Sequence, residues 1–379
     1  VAAVPLPAAG DGDDLRHLPG GVGNVTHGEG VRRGIGYAVG YKNVAYSEGF
    51  DDAADARVRI SVTAGEPLVE VHTAAVEVGQ GLVTIQAQIA RTELGVERVV
   101  VLPADTAVGS AGSSSASRQT WMTGGAVRAA CQAVRANLLD LAGKRLGRDP
   151  ATLALTPAGV VARPPGGRAP QAGGWEPPEA AAGDRPAGEL PAEAGEALVG
   201  LAELLGRGAV EETRTYRHRK TFPLDPETGQ GDAHVAFAFA AHRAVVDVDT
   251  ELGLVKVVEI ATAQDVGRAL NPQAVEGQIE GGIAQGLGLA LMEEIQLVDG
   301  EIRNPSFTDY LIPTVLDMPP VRLDMLELGH PDSPYGVRGV GEPPTISSTP
   351  AIVAAVRAAT GRPLTRVPLR PDEIAGLAP

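Results

Sequence analysis

The run that most limits how this chain can fold follows Asp265-Val-Gly-Arg-Ala-Leu-Asn-Pro272. Asn271 suits an N-cap and Pro272 the first helical position, so a helix is expected from there to about Glu294. That helix carries Gly277, Gly281, Gly282, Gly286 and Gly288. Each glycine costs about 1 kcal/mol relative to alanine inside a helix. Such a helix persists where its bare surface is pressed against another backbone or a large flat ligand. Gln285 sits on that surface, and its amide offers a donor and an acceptor without the desolvation cost of an ion.

A second run, Tyr335-Gly-Val-Arg-Gly-Val-Gly-Glu-Pro-Pro344, sets Gly336, Gly339 and Gly341 between bulkier residues and holds one carboxylate, Glu342. Glycines this close lose too much chain entropy for a comfortable helix or strand. Pro343 removes a backbone donor and biases Glu342 away from helical angles. A tight, irregular loop with Glu342 held extended is expected, which is one way to fix a general base. The same residues also describe a surface turn with a solvated glutamate. Taken alone, the run leaves both readings open.

Earlier in the chain, residues 1–30 are polar and glycine-rich and read as a lead-in or linker. Gly34, Gly36 and Gly40 have the wrong spacing and setting for a dinucleotide site, so a Rossmann fold is rejected. Val58–Val62 and Leu68–Thr73 are expected to pair as a hairpin across Ala64-Gly65-Glu66-Pro67. Glu77-Val-Gly-Gln-Gly-Leu82 then leads into a helix to about Leu94, whose apolar stripes on two sides imply a buried amino end. The N–H groups beside Gln80 suit an anion or a polar cofactor atom, or else an ordinary glycine-containing cap. Arg98–Leu102 reads as a strand. The tiny residues from Gly109 to Ser117 fit an anion-holding nest or a flexible surface loop. Thr123 is the expected cap of the next helix. Its apolar face, Val127, Cys131, Val134, Leu138 and Leu141, makes Cys131 a buried packing residue.

Pro164–Gly195 is rich in Pro, Gly and Ala and shows no hydrophobic period, as in a variable insertion. The expected layout is a first lobe at 31–163, an insertion at 164–197 and a second lobe at 198–379. The fold class is α+β, two lobes of mixed β-sheet flanked by helices. In the second lobe we expect a short helix at Leu198–Leu205 and strands at His234–Ala240, Ala244–Val248 and Leu254–Ala261. A short last helix, Pro350–Ala359, closes the chain.

Composition narrows the function. Aromatic residues make up only 3%, so the core must come from Ala, Val, Leu and Ile. A net charge of −15, with no basic cluster beyond Arg214–Lys220, argues against nucleic acid or an anionic membrane as partner. One cysteine, Cys131, cannot build a disulfide framework or hold an iron–sulfur cluster. No apolar run is long enough to span a bilayer and no signal peptide is evident, so the cytoplasm is the expected location. No His-x-x-x-His, Cys-x-x-Cys or carboxylate cluster offers a protein-ligated metal site. The start at Val1, without Met, suggests a fragment or a processed subunit.

Five segments, Glu77–Gly81, Ser113–Arg118, Asp265–Pro272, Val275–Gly288 and Gly339–Pro343, occur in an order that resembles the molybdenum hydroxylases. Within them, the chain is similar to the carboxy-terminal half of the molybdopterin-binding subunit of bacterial xanthine dehydrogenase. The resemblance spans roughly Arg33 to the carboxy terminus apart from the insertion. Each motif is modest by itself; the five in register are specific.

The resemblance implies a molybdenum–molybdopterin cofactor whose own dithiolene holds the metal. By position, Gly79, Gln80, Gly81, Ser115, Ala116, Ser117 and Gln285 look like its contacts, and Glu342 looks like the catalytic base. The implied reaction hydroxylates a purine, hypoxanthine or xanthine to urate, with oxygen from water. Electrons would leave through Fe–S clusters and FAD on partner subunits to NAD. The family also holds enzymes for aldehydes, N-heterocycles and carbon monoxide. The amino-terminal half of such a subunit, which carries further cofactor contacts and the purine-orienting residues, is the expected missing partner. A cofactor-free assembly fragment is the reading from a different class.

Overall fold

The computed structural model describes residues 30–163 and 196–377. The expected lead-in and nearly all of the expected insertion lie outside the described residues. One mixed sheet has the order β1 (Val31–Val44), β8 (Ala236–Asp249), β9 (Leu254–Asp265), β12 (Val321–Leu326), with the last pair parallel. A second has the order β4 (Val99–Val101), β3 (Glu66–Thr73), β2 (Ala53–Thr63), β7 (Ala209–Arg217), with β3 and β4 parallel. Two ribbons, β5 (Leu153–Thr156) with β6 (Gly159–Ala162) and β10 (Leu297–Val298) with β11 (Glu301–Ile302), stand apart.

Helix α2 (Gln119–Leu146) crosses β2 and β7 with α1 (Leu82–Leu94) beside it. Helix α5 (Pro343–Thr360) crosses β1 and β8 with α4 (Pro272–Leu291) beside it. Helices α3 (Leu201–Leu205) and α6 (Pro371–Ala375) are single short turns. The result is the expected α+β arrangement of two lobes. Each has its own aliphatic core, one around Ile60, Val71, Met122 and Leu138, the other around Val246, Ile260, Ile283 and Ile352. Cys131 is fully buried in the first.

The lobes do not divide where the chain order suggested. Strand β1 pairs with β8 over its whole length, from Val31 opposite Asp249 to Val44 opposite Ala236. Strand β7 pairs with β2. Each lobe therefore takes one strand from the other half of the chain, a long-range pairing that local pattern does not report.

Glycine sets how closely α5 can lie. A Cβ at Gly34 or Gly36 would run into the backbone of Ala355, so β1 is bare where the helix crosses it. On α4, Cβ atoms at Gly282 and Gly286 would collide with Pro344 and Ser348 of α5. The bare surface expected on α4 thus meets a second helix. Gly277 and Gly281 have nothing within 4 Å of where a Cβ would be.

Several local expectations shift. The hairpin forms, and its turn places Ala64 and Gly65 at φ 56° and 81°, the left-handed pair that matches strand twist. The two strands expected around His234–Val248 are one continuous strand. Helix α2 begins at Gln119, so Thr123 lies buried inside it and is not its cap. Helix α5 begins at Pro343 and keeps Pro350 in its interior. The carbonyl that Pro350 leaves without a partner belongs to Ile346, which is 41% exposed, so water can serve it.

Candidate functional site

Five segments enclose one cleft of about 280 Å³. They are the turn before α1, the serine-rich loop before α2, the β9–α4 connection, the first turns of α4, and the loop leading into α5. Gln80, Ser117, Arg268, Gln278, Arg338 and Glu342 are among its walls. The amino ends of four helices therefore face a shared space, each carrying the partial positive charge of a helix start. Neither α2 nor α5 has a side-chain cap. Helix α4 does: Asn271 Oδ1 accepts from Ala274 N–H at 3.1 Å.

At α1 the chain supplies its own anion. Glu77 accepts from the N–H groups of Gly79, Gly81 and Val83 at 2.8, 3.0 and 2.9 Å. Burial pushes this carboxyl up, but the N–H groups of Val83, Gly81, Gly79 and Leu82 hold it below the ordinary range. This helix end is exposed and not buried as expected, with Val78 72% exposed. The Leu82–Ile85–Ile89 stripe is covered along its length, and the second stripe only toward its carboxyl end, where Ala90 and Leu94 are buried while Val83 at the start faces solvent. Gln80 folds back on its own turn, accepting from Val78 N–H at 2.6 Å and donating to Val76 O at 3.0 Å.

The serine-rich loop is held from beneath. Ala116 and Ser117 both lie in the left-handed region, φ 60° and 46°, a strain of order 1 kcal/mol or more each. Arg118, fully buried, pairs with Asp52 and donates to the carbonyls of Ala111, Ser113 and Ala53. A buried ion pair is tolerable only when its remaining donors are satisfied, and here one carboxylate and three carbonyls do so. The guanidinium also lies 5.0 Å from the Tyr46 ring centre.

Glu342 closes the cleft from the other lobe. Oε1 accepts from Ala116 N–H at 2.9 Å, and Oε2 from the Ser117 hydroxyl at 3.3 Å. Lys42 Nζ lies 3.0 Å from Oε2. Glu342 N–H donates to Ser117 Oγ at 3.0 Å. Gly339 permits this approach, since a Cβ there would lie 2.5 Å from Ser117 Cβ. Glu342 itself has φ −102° and ψ −33°, near-helical and not extended. Its bonds to Ser117 and the start of α5 outweigh the pre-proline bias. The loop's far end is tied to the first lobe, where the Tyr335 hydroxyl meets Glu93 and Arg128 lies 4.7 Å from its ring centre.

Among the residues expected at the site, Gln80, Ser117 and Glu342 line the cleft, and Ala116 bonds directly to Glu342. Gly79 and Gly81 flank Gln80. Ser115 turns toward Ser113, Oγ to Oγ 2.9 Å. Gln285 does not line the cleft. It sits two helical turns beyond Gln278, about 10 Å along α4, where it accepts from the Thr345 hydroxyl at 3.1 Å. Gln278 takes its place in the wall. A seven-residue step from Gln285 could have found it, and Arg268 lies inside a segment already singled out. Arg118 likewise ends the Ser113–Arg118 segment, whereas Lys42 gave no local signal as a site residue.

The molybdopterin cofactor-binding domain family matches this chain over residues 20–319. The chain belongs to that family. The match covers the cleft walls from Gln80 to Gln278 and ends before Glu342. A probable xanthine dehydrogenase subunit of Bacillus subtilis (strain 168) is 31% identical over 347 residues, 91% of this chain and 42% of that protein. The solved quinoline 2-oxidoreductase of Pseudomonas putida 86 is 27% identical with a TM-score of 0.67, over 91% of this chain and 42% of that one. A CO dehydrogenase of Oligotropha carboxidovorans shares the fold, with a TM-score of 0.71 at 22% identity, over 92% of this chain and 40% of that one. The molybdopterin-binding domain thus spans well under half the length of the proteins it matches.

The cleft suits the cofactor. Arg268 has no ion-pair partner among the described residues, and with the helix ends it fits an anionic phosphate. The Gln80 and Gln278 amides can both donate to and accept from a pterin edge. Among the described residues no group of three or more His, Cys, Asp and Glu could hold a metal. No described helix is long and apolar enough to cross a membrane.

Proposed function

We propose that this domain is the cofactor-binding part of a xanthine dehydrogenase-type hydroxylase that oxidises purines, hypoxanthine or xanthine to urate. Electrons leave through Fe–S and FAD units on partner polypeptides to NAD, and the assembly works in the cytoplasm. The observation that carries this reading is Glu342, a single carboxylate held at the cleft wall by Ala116 and Ser117 of the opposite lobe. Molybdenum–molybdopterin, when bound, supplies the two-electron redox chemistry and the route for water-derived oxygen. Gln80, Gln278 and Arg268 hold and orient it. Glu342 takes the proton released as the substrate carbon is hydroxylated, with its geometry set in advance by its hydrogen bonds. The purine assignment draws on the likeness to the Bacillus subtilis protein.

The test uses the natural assembly, assayed for molybdenum and for turnover of xanthine, hypoxanthine, aldehydes and N-heterocycles. Glu342→Gln should retain molybdenum and lose turnover by at least about a hundredfold. Unchanged turnover would remove Glu342 as the base. A related hydroxylase acting on N-heterocycles or aldehydes is the second reading, favoured by the 27% identity to the quinoline enzyme. Turnover of quinoline-like rings without turnover of xanthine would select it. An assembly that carries no molybdenum would point to the cofactor-free fragment.

A further inference from the structure

The face of β1 under α5 carries Gly34, Gly36, Ala38 and Gly40 in alternate positions. Helix α5 runs along this bare track, with Ala359 near Gly34, Ala355 near Gly36 and Ile346 near Gly40. Lys42 is the next residue on that face. It emerges where α5 begins and where Glu342 sits. Its Nζ lies 3.0 Å from Glu342 Oε2 and 2.7 Å from Asn43 Oδ1, and it also donates to Asn43 O at 3.2 Å. Lys42 is not among the residues that line the cleft. It reaches Glu342 from outside the set of residues that form the cleft wall.

The two carboxylate oxygens are used unequally. Oε2 accepts from the Ser117 hydroxyl and forms the ion pair with Lys42, while among the described residues Oε1 accepts only from the Ala116 N–H. The Lys42 charge therefore sits against Oε2 alone, and Oε1, with one of its roughly two acceptor sites taken, keeps one open. The side chains of Lys42 and Glu342 are 27% and 38% exposed. At that exposure an ion pair adds little to folding stability, so its consequence is geometric.

We propose that Lys42 is a positioning residue for Glu342: by occupying Oε2 it locks the carboxylate so that Oε1 is the oxygen that takes the proton. The proposal rests on Glu342 acting as the base. Lys42 itself transfers no proton and touches no substrate.

The test compares Lys42→Met and Lys42→Arg in the natural assembly. In cofactor-free protein, the infrared difference spectrum against Glu342→Gln isolates the Glu342 carboxylate stretch. That band should shift and broaden in Lys42→Met and return toward wild type in Lys42→Arg, with circular dichroism unchanged in both. In loaded protein, kcat should fall about ten- to a hundredfold in Lys42→Met with KM nearly unchanged, and recover in Lys42→Arg. An unchanged infrared band in Lys42→Met would overturn the proposal, as would a rise in KM with kcat preserved. If Glu342→Gln itself turns over normally, the base assignment falls and the positioning role with it. The infrared result would then still report whether the pair exists.

Discussion

Ala116 N–H and Glu342 Oε1 are 2.9 Å apart across 226 residues of sequence. This bond joins a left-handed turn in one lobe to the start of α5 in the other. Because Ala116 O also accepts from Ala45 N–H at 3.0 Å and Glu342 also pairs with Lys42, the cleft between the lobes has one defined wall and not two independent loops.

Breaking the support under that wall should be costly. Arg118 and Asp52 have side chains 0% and 1% exposed, and removing one partner of a buried pair leaves the other charge uncompensated. Asp52→Ala should destabilise the protein by about 3–5 kcal/mol, read as a lower midpoint in urea unfolding. A loss below about 1 kcal/mol would mean that the carbonyls of Ala111, Ser113 and Ala53 suffice.

The contact between α4 and α5 should be equally unforgiving. A Cβ at Gly286 would collide with Ser348, whose side chain is fully buried. Gly286→Ala should cost about 1–3 kcal/mol from overpacking, even though alanine is the better helix former. Adding Ser348→Gly should restore part of that loss. Stabilisation by the single change would show that the helices do not meet this closely.

His242 should make stability depend on pH. It is 2% exposed, its Nδ1 lies 2.7 Å from Ser347 Oγ, and burial lowers its pKa from 6.5 to about 4. The unfolded chain binds a proton near pH 6.5 that the folded protein resists, so stability is full above that value and falls as pH drops toward about 4. The loss is about 3 kcal/mol. His242→Gln should flatten this part of the stability–pH curve, measured as the difference between variant and wild type. Parallel curves would exclude it.

Arg268, unpartnered among the described residues at the cleft wall, should matter for cofactor retention more than for folding. Arg268→Ala should leave the thermal midpoint within about 2 °C and lower the molybdenum content of the purified assembly several-fold. Full molybdenum occupancy in the variant would place the anion elsewhere.

Much of this was legible in the residues. Asn271 and Pro272 start α4 as their side chains dictate, Ala64-Gly65 turn the hairpin, and Cys131 lies on the apolar face of α2. Each signal acts within about four residues. The misplaced features are those decided by distant partners. Thr123 reads as a cap because nothing nearby reveals that Arg118 is buried against Asp52. Glu342 reads as extended because the pre-proline bias is local, while Ser117 and the long helix α5 are not. Gln285 and Gln278 present the same chemistry on the same helical face, and only the position of the cleft separates them.

By itself, the sequence determined the backbone's local choices: where helices start, where glycine leaves a surface bare, and which stripes are apolar. The tertiary structure decided what meets those surfaces. It laid α5 against the bare faces of β1 and α4, filled the amino end of α1 with Glu77, exchanged a strand between the lobes, and brought Lys42 to Glu342. Local preference is set by a residue's own dihedral angles and its neighbours within a turn. A partner hundreds of residues away is set by sheet register and helix packing, and those are properties of the whole fold.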